Sequence, residues 1–143
     1  MILVDASVWI DFFNGNQTAA VGALSGLLAD AGAPLAVADL TLFEVLRGFR
    51  HEQDFLAARR ALAALPVVEI GGEDNALRAS AQVRSLRARG RTVHSPVDVL
   101  IACWCIENQG ALLHSDRDFD AFEQHAGLRI WRHFTPASER GHR

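Results

Sequence analysis

The sequence has 143 residues and a mass of 15.6 kDa, with 50% hydrophobic and 22% charged residues. This length fits one compact domain with its own core, and the composition excludes a disordered chain, a coiled coil and collagen. Fourteen basic residues, all arginine, stand against 17 acidic ones and give a formal net charge of -3. This balance argues against binding nucleic acid by overall charge alone, but it leaves room for a local basic groove.

No apolar run approaches the ~20 residues of a membrane span, and the N-terminus lacks the basic segment of a secretory signal. We therefore expect a soluble, cytoplasmic protein without a membrane partner. Cys103 and Cys105 lie two residues apart, a spacing that matches no zinc pattern. We expect them to be small core hydrophobes or free thiols.

Five short apolar runs predict strands, and helical patterns separate them. The predicted strands cover residues 1–4, 35–38, 66–70, 111–114 and 128–131. The predicted helices cover residues 6–13, 18–31, 41–48, 53–65, 74–89, 97–108 and 119–125. This alternation with short turns predicts an α/β fold, in which a mostly parallel sheet carries helices on both faces. We expect one domain over residues 1–135 and a flexible C-terminal tail over residues 136–143.

Acidic residues follow two of the predicted strands. Ligand sites of such sheets lie beyond the carboxyl ends of the strands, so these acids are candidates for a site. Asp5 directly follows the first strand, although a turn or helix-cap role explains it equally well. Asp116 follows the strand over residues 111–114 and forms a cluster with Asp118 and Asp120. A cap in a solvated loop accounts for the last two better than for all three.

Two further acids, Glu44 and Asp98, have a stronger structural explanation. Thr41 precedes Glu44 at the spacing of a capping box, and Ser95 with a following proline precedes Asp98 in the same way. Each acid could therefore simply stabilise the start of a helix. Both helices begin where strands of the same sheet end, so both carboxylates remain candidates for one common site.

Several carboxylates without histidine or cysteine ligands favour magnesium or manganese over zinc. Cations held in this way serve phosphodiester hydrolysis, because they activate a water and neutralise charge on the phosphate. None of the six histidines shows metal-ligand spacing. His114 lies close enough to Asp116 to contact a bound substrate.

Four segments together resemble the PIN-domain ribonucleases, and more closely the VapC toxins of bacterial toxin–antitoxin pairs. They are Ile2–Asp11, Thr41–Gly48, Ser95–Ala102 and Leu112–Phe119. The resemblance spans nearly the whole chain in the right order. It implies a three-layer α/β/α sandwich and a Mg²⁺- or Mn²⁺-dependent endoribonuclease that inhibits translation or growth.

The resemblance also implies roles for individual residues. The catalytic acids would be Asp5, Glu44, Asp98 and Asp116. Asp5, Asp98 and Asp116 would bind the metal, with Glu44 acting directly or through water. Ser7 would orient a ligand or water near Asp5. Asp118 would either assist the metal or cap the helix at Phe119, and we favour the cap.

Members of this family usually form homodimers, and a VapB-type antitoxin lays its C-terminal segment across the acidic groove. For the RNA substrate, Arg84, Arg87 and Arg91, with Arg78 and Arg89 beside them, are candidates for a rim that contacts phosphates. A solvated helix face explains these arginines equally well. The aromatic residues of the first helix, Trp9, Phe12 and Phe13, fit core or dimer packing better than base stacking.

Two other functions remain open at this point. One is a catalytically silent PIN-like module that binds RNA or a protein, although such a module gains nothing from four uncompensated acids. The other is a two-metal phosphatase or DNA flap nuclease, although the short chain lacks the inserted regions that such nucleases usually carry. RNA cleavage is therefore the favoured prediction.

Overall fold

The computed structural model describes residues 1–93 and 95–132. Its strands are β1 (Ile2–Val4), β2 (Val37–Ala38), β3 (Val67–Val68), β4 (Ala111–Leu113) and β5 (Arg129–Ile130). Its helices are α1 (Ala6–Phe13), α2 (Ala19–Ala29), α3 (Asp39–Leu46), α4 (Glu52–Ala63), α5 (Glu73–Ala88), α6 (Pro96–Glu107) and α7 (Asp120–Ala126). A 3-10 turn, Arg117–Phe119, precedes α7. The predicted tail over residues 136–143 lies outside the described residues.

The strands form one parallel arrangement with a shared carboxyl edge. β1 pairs with β4 and β4 with β5, and β2 pairs with β3, all in parallel. A parallel bridge between Ile2 and Leu35 joins the two groups, and the Ala36 N–H donates to the Ile2 carbonyl at 3.0 Å. The resulting order is β3-β2-β1-β4-β5, which confirms the predicted parallel sheet.

Helices cover both faces of this sheet. Leu3 and Leu112 point to one face, whereas Val4 and Leu113, one residue further along each strand, point to the other. Each fully buried side chain of this kind contributes about 1.5–3 kcal/mol. The first face packs against α5, α6 and α7, and the second against α1, α2 and α4. The fully buried side chains that these helices supply include Leu86, Ile101, Phe122, Trp9, Leu24 and Leu62.

The two cysteines lie in the core, on the buried helix α6. Cys103 and Cys105 are both free and buried, and burial raises the pKa of the Cys105 thiol to about 12. A thiol in that state does not ionise near neutral pH, so it makes a poor metal ligand. This placement agrees with the prediction of small core hydrophobes.

The aromatic residues of α1 also serve packing. Trp9 is fully buried, and its ring stacks on Phe13 with centroids 5.9 Å apart. Phe12 meets Trp9 edge-on at 6.1 Å. Trp9 also belongs to the core cluster that contains Ile2 and Val4 of β1, and this packing holds α1 against the sheet directly after β1 ends.

The start of α3 differs from the sequence prediction. The helix begins at Asp39, so Thr41 lies inside it and does not cap it. The Thr41 side chain is buried and its hydroxyl has no hydrogen-bond partner among the described residues. Asp39 accepts the Ile70 N–H at 2.8 Å and so ties the start of α3 to the chain after β3. The capping-box explanation of Glu44 is therefore wrong.

Among residues 1–93 and 95–132, no helix combines the length and the apolar character that crossing a bilayer requires.

Candidate metal centre

Asp5 occupies the carboxyl end of the central strand β1. Its backbone N–H donates to the Leu113 carbonyl at 2.9 Å, which extends the β1–β4 pairing by one residue. It stands at the N-cap position of α1, but its side chain makes no capping hydrogen bond. The Asp5 residue is only 7% exposed, and its carboxylate accepts the Ser7 hydroxyl at 2.5 Å. The cap explanation therefore does not account for this carboxylate.

Burial and hydrogen bonding act in opposite directions on Asp5. Burial raises the pKa of Asp5 above its usual value, and the Ser7 hydroxyl partly offsets this rise. Ser7 thereby holds one carboxylate oxygen and leaves the other available. Ser7 thus lies beside Asp5, and its orienting role toward a ligand or water stays a prediction.

Asp98 lies in the first turn of α6, beneath the same edge. Ser95 caps this helix, because its hydroxyl accepts the Asp98 backbone N–H at 3.4 Å. The Asp98 carboxylate is not needed for that cap, and the residue is 9% exposed. Burial raises the pKa of Asp98 to about 7, and repulsion adds to the effect. The repelling carboxylates are those of Asp5, Asp116, Glu44 and Asp118.

Asp116 and Asp118 complete the acidic surface after β4. Asp116 caps the 3-10 turn, since its carboxylate accepts the Asp118 N–H at 2.9 Å. The capping role favoured for Asp118 is wrong, because α7, the helix that follows Phe119, begins without a side-chain cap. The Asp118 carboxylate instead belongs to a group in which oxygens of Asp98, Asp116 and Asp118 lie within 4.8 Å of one another.

Glu44 approaches this group from α3. It is half-buried, and burial together with repulsion from Asp5 raises its pKa, while the Arg47 charge partly lowers it. Asp5 and Glu44 are not among the three acids that share the 4.8 Å spacing. The structure thus brings all four predicted catalytic acids to one edge of the sheet and adds Asp118 to them.

The donor set fits a hard divalent cation. Within the described part of the chain, the ion pairs are Arg78–Glu107 and Arg132–Glu123, and neither involves these acids. Clustered carboxylates without a counter-charge raise one another's pKa values, and a bound dication relieves that repulsion. Their oxygen ligands suit magnesium or manganese better than zinc.

His114 has a contact that sequence reasoning missed. Its Nδ1 accepts the Asp116 backbone N–H at 3.0 Å, and its ring lies 4.7 Å from the Phe119 ring. Burial lowers the pKa of His114. The spacing of a histidine two residues before an aspartate at a strand end is the only sequence signal for this bond.

The predicted arginine rim divides into separate environments. Arg78 pairs with Glu107 at 3.8 Å, and Arg91 donates to Gln124 of α7 at 2.8 Å. Arg84 and Arg87 are exposed on the C-terminal half of α5. A short connection links that end of α5 to Ser95 and the first turn of α6, where Asp98 lies.

Comparison with known proteins places this architecture in a family. The PIN domain family model matches residues 2–124, so the chain belongs to the PIN-domain family. The predicted family and its α/β fold are thereby confirmed.

Named relatives and solved structures agree with this assignment. The chain is 28% identical over 129 residues to VapC ribonuclease Mb1587 of Mycobacterium bovis, covering 90% of this chain and 96% of the relative. The same identity and coverage hold for ribonuclease VapC11 of Mycobacterium tuberculosis. A toxin–antitoxin complex from Klebsiella pneumoniae has a TM-score of 0.68 at 20% identity, covering 95% of this chain and 100% of that one. VapBC2 from Rickettsia felis, bound to a promoter DNA fragment, has a TM-score of 0.67 at 15% identity, with coverages of 92% and 100%.

Proposed function

We propose that this protein is a divalent-metal-dependent endoribonuclease and the toxin of a VapBC-type toxin–antitoxin pair. The observation that carries the proposal is the convergence of five carboxylates at the carboxyl edge of a PIN domain, none of which forms an ion pair within residues 1–93 and 95–132. Relatives named VapC ribonuclease support RNA as the substrate. Cleavage of RNA would inhibit translation or growth.

The metal, Mg²⁺ or Mn²⁺, would be held by Asp98 and Asp116 together with Asp118 and Asp5. When bound, such an ion supplies Lewis-acid activation of water and neutralises charge on the phosphate. Asp5 would present the oxygen that Ser7 leaves available. Glu44, whose pKa burial and Asp5 raise, would hold a water or a proton at its carboxylate beside the scissile phosphate.

The acidic edge also suits a basic protein segment. Two solved structures with a similar fold are VapBC assemblies, and charge complementarity would guide a VapB-type antitoxin to this edge. Phe43 is 65% exposed next to Glu44, and the Arg47 guanidinium lies 5.6 Å from its ring centroid. Phe43 therefore offers an apolar contact beside the acids.

We propose a homodimer that acts on RNA in the cytoplasm.

Cleavage of RNA in the presence of defined metals tests the proposed function. The purified protein should cut cellular RNA with Mg²⁺ or Mn²⁺, lose activity in EDTA and regain it when Mn²⁺ is restored. A DNA flap substrate should remain uncut. If the protein binds RNA but leaves it whole with every divalent cation, it is a silent PIN-like module and the proposed function is wrong.

Arg84 and Arg87, at the C-terminal end of α5, should contribute to RNA affinity, as should Arg91 in the connection that leads from α5 to the helix of Asp98. Substituting both Arg84 and Arg87 with glutamine should weaken RNA binding several-fold. The slope of the logarithm of the binding constant against the logarithm of the salt concentration should become shallower, by the equivalent of up to about two phosphate contacts. The matched control replaces Arg59 and Arg60, which are exposed on α4, with glutamine. Equal losses in both double variants, measured by fluorescence anisotropy across a salt series, would refute the rim.

A further inference from the structure

His114 stands at the point where β4 ends and the acidic loop begins. Its Nδ1 accepts the Asp116 backbone N–H, and the Asp116 carboxylate accepts the Asp118 N–H. Two consecutive hydrogen bonds, each spanning two residues, therefore set the backbone from β4 to the 3-10 turn. The path of this backbone therefore determines where the carboxylates of Asp116 and Asp118 lie in the acidic group.

The geometry of the first bond defines the state of the imidazole. A ring nitrogen that accepts a hydrogen bond carries no proton, so the proton of neutral His114 lies on Nε2. The Nε2 atom is buried and has no hydrogen-bond partner among the described residues. It is therefore closed off from a bound substrate, and the ring face contacts the fully buried Phe119 instead.

Burying Nε2 without a hydrogen-bond partner costs free energy of folding. We expect the hydrogen bond that Nδ1 accepts to offset this cost. In the described structure, His114 is the acceptor for the Asp116 N–H at the end of β4. Without it, that N–H would turn to solvent and the loop would lose the bond that orients Asp116. A side chain that acts through a metal ligand in this way raises affinity for the ion without touching it.

We propose that His114 is a positioning residue, whose Nδ1 fixes the Asp116 backbone and thereby sets the Asp116 and Asp118 carboxylates for metal binding. Its effect on RNA cleavage rests on the proposed function, whereas its effect on metal binding does not. The inference concerns an acceptor at one defined place and not the charge of the ring.

Three variants separate the acceptor from the packing of the ring. His114→Asn places its amide oxygen on Cγ, as Nδ1 is in histidine, but removes most of the ring. His114→Gln places the oxygen one bond further out, and His114→Leu keeps apolar volume without any acceptor. The readout is the affinity for Mn²⁺ in the absence of RNA. It is measured by titration calorimetry or from the electron paramagnetic resonance signal of free Mn²⁺.

We expect His114→Leu and His114→Gln to lose about 10–100-fold in Mn²⁺ affinity, the usual effect of removing an outer contact to a ligand. His114→Asn should stay within about threefold of the wild type, even where its melting temperature is lower. High Mn²⁺ concentrations should restore RNA cleavage in the glutamine and leucine variants. If one of these two does not fold, the other still provides the comparison with asparagine.

Affinities that follow thermal stability instead of the acceptor position would overturn the inference. So would unchanged affinities in all three variants, or the absence of Mn²⁺ binding by the wild type. If the variants bind Mn²⁺ in the expected order but the wild type cuts no RNA, the positioning role stands and the proposed ribonuclease function is refuted. If the wild type cuts RNA but the Mn²⁺ affinities of the variants do not follow that order, the ribonuclease function stands and the positioning role is refuted.

Discussion

Substituting Asp98 with asparagine is expected to reduce RNA cleavage by about 10²–10³-fold, the usual loss when one group that stabilises the reacting charge is removed. Burial, together with repulsion from the other four carboxylates of the site, raises the pKa of Asp98 to about 7. Asparagine keeps the size of the side chain and the backbone N–H that Ser95 caps. The change therefore removes the carboxylate charge of one proposed metal ligand without removing the helix cap.

The same substitution should stabilise the metal-free protein. The folded pKa of Asp98, about 7, lies above its ordinary value of 3.8, so between these values the folded state binds more protons than the unfolded state. Stability from this group is thus greatest at low pH and falls as pH rises from about 4 to 7. At pH 8 we expect Asp98→Asn to gain about 1–2 kcal/mol after allowance for solvent screening.

Asp74→Asn is the matched control, because Asp74 is an exposed acid in the first turn of α5 and lies outside the site. It should leave cleavage unchanged and cost about 0.3–1 kcal/mol through the helix dipole. Urea unfolding at pH 5 and pH 8, together with cleavage rates, measures both effects. Near-normal cleavage by Asp98→Asn would remove Asp98 from the metal site.

The second large effect is on the pH dependence of metal binding. Metal ligands must be ionised, so an ion competes with the proton on Asp98. With a pKa of about 7, Asp98 is roughly nine-tenths ionised at pH 8 and one-tenth ionised at pH 6. Mn²⁺ affinity should therefore fall about tenfold between pH 8 and pH 6, and the raised pKa values of Asp5 and Glu44 act in the same direction.

Calorimetry in buffers of different ionisation enthalpy tests this expectation. Mn²⁺ binding near pH 7 should release protons from the wild type. The matched control Asp74→Asn, which also removes one carboxylate, should behave like the wild type, whereas Asp98→Asn should bind weakly with little proton release. Affinity that is constant from pH 6 to pH 8 would show that the acids do not share a proton-coupled site.

Sequence reasoning located the acids that strand ends dictate. Asp5 and Asp116 follow apolar runs that are too short for anything but buried strands, and parallel strands bring such ends together. The roles of Glu44 and Asp98 are less well determined by the sequence, because capping motifs use the same residue types. For Glu44 the motif misled, since tertiary contacts of Asp39 start α3 earlier than Thr41.

Other features depend on local geometry and tertiary packing that residue spacing alone does not determine. Asp116 and Asp118 are two residues apart, and which of them caps the turn is decided by local dihedral angles. The His114 bond requires one ring orientation and one tautomer. The pairing of Arg91 with Gln124 joins residues that only the packing of α7 brings together.

Crystals soaked in Mn²⁺ and measured near the manganese absorption edge test the central claim most directly. An anomalous difference peak should lie between the carboxylates of Asp98, Asp116 and Asp118, on the side that faces Asp5. The same soak of Asp98→Asn crystals should show that peak strongly weakened. An empty acidic edge in the wild type, or manganese bound only elsewhere, would contradict a metal-dependent site at this edge of the sheet.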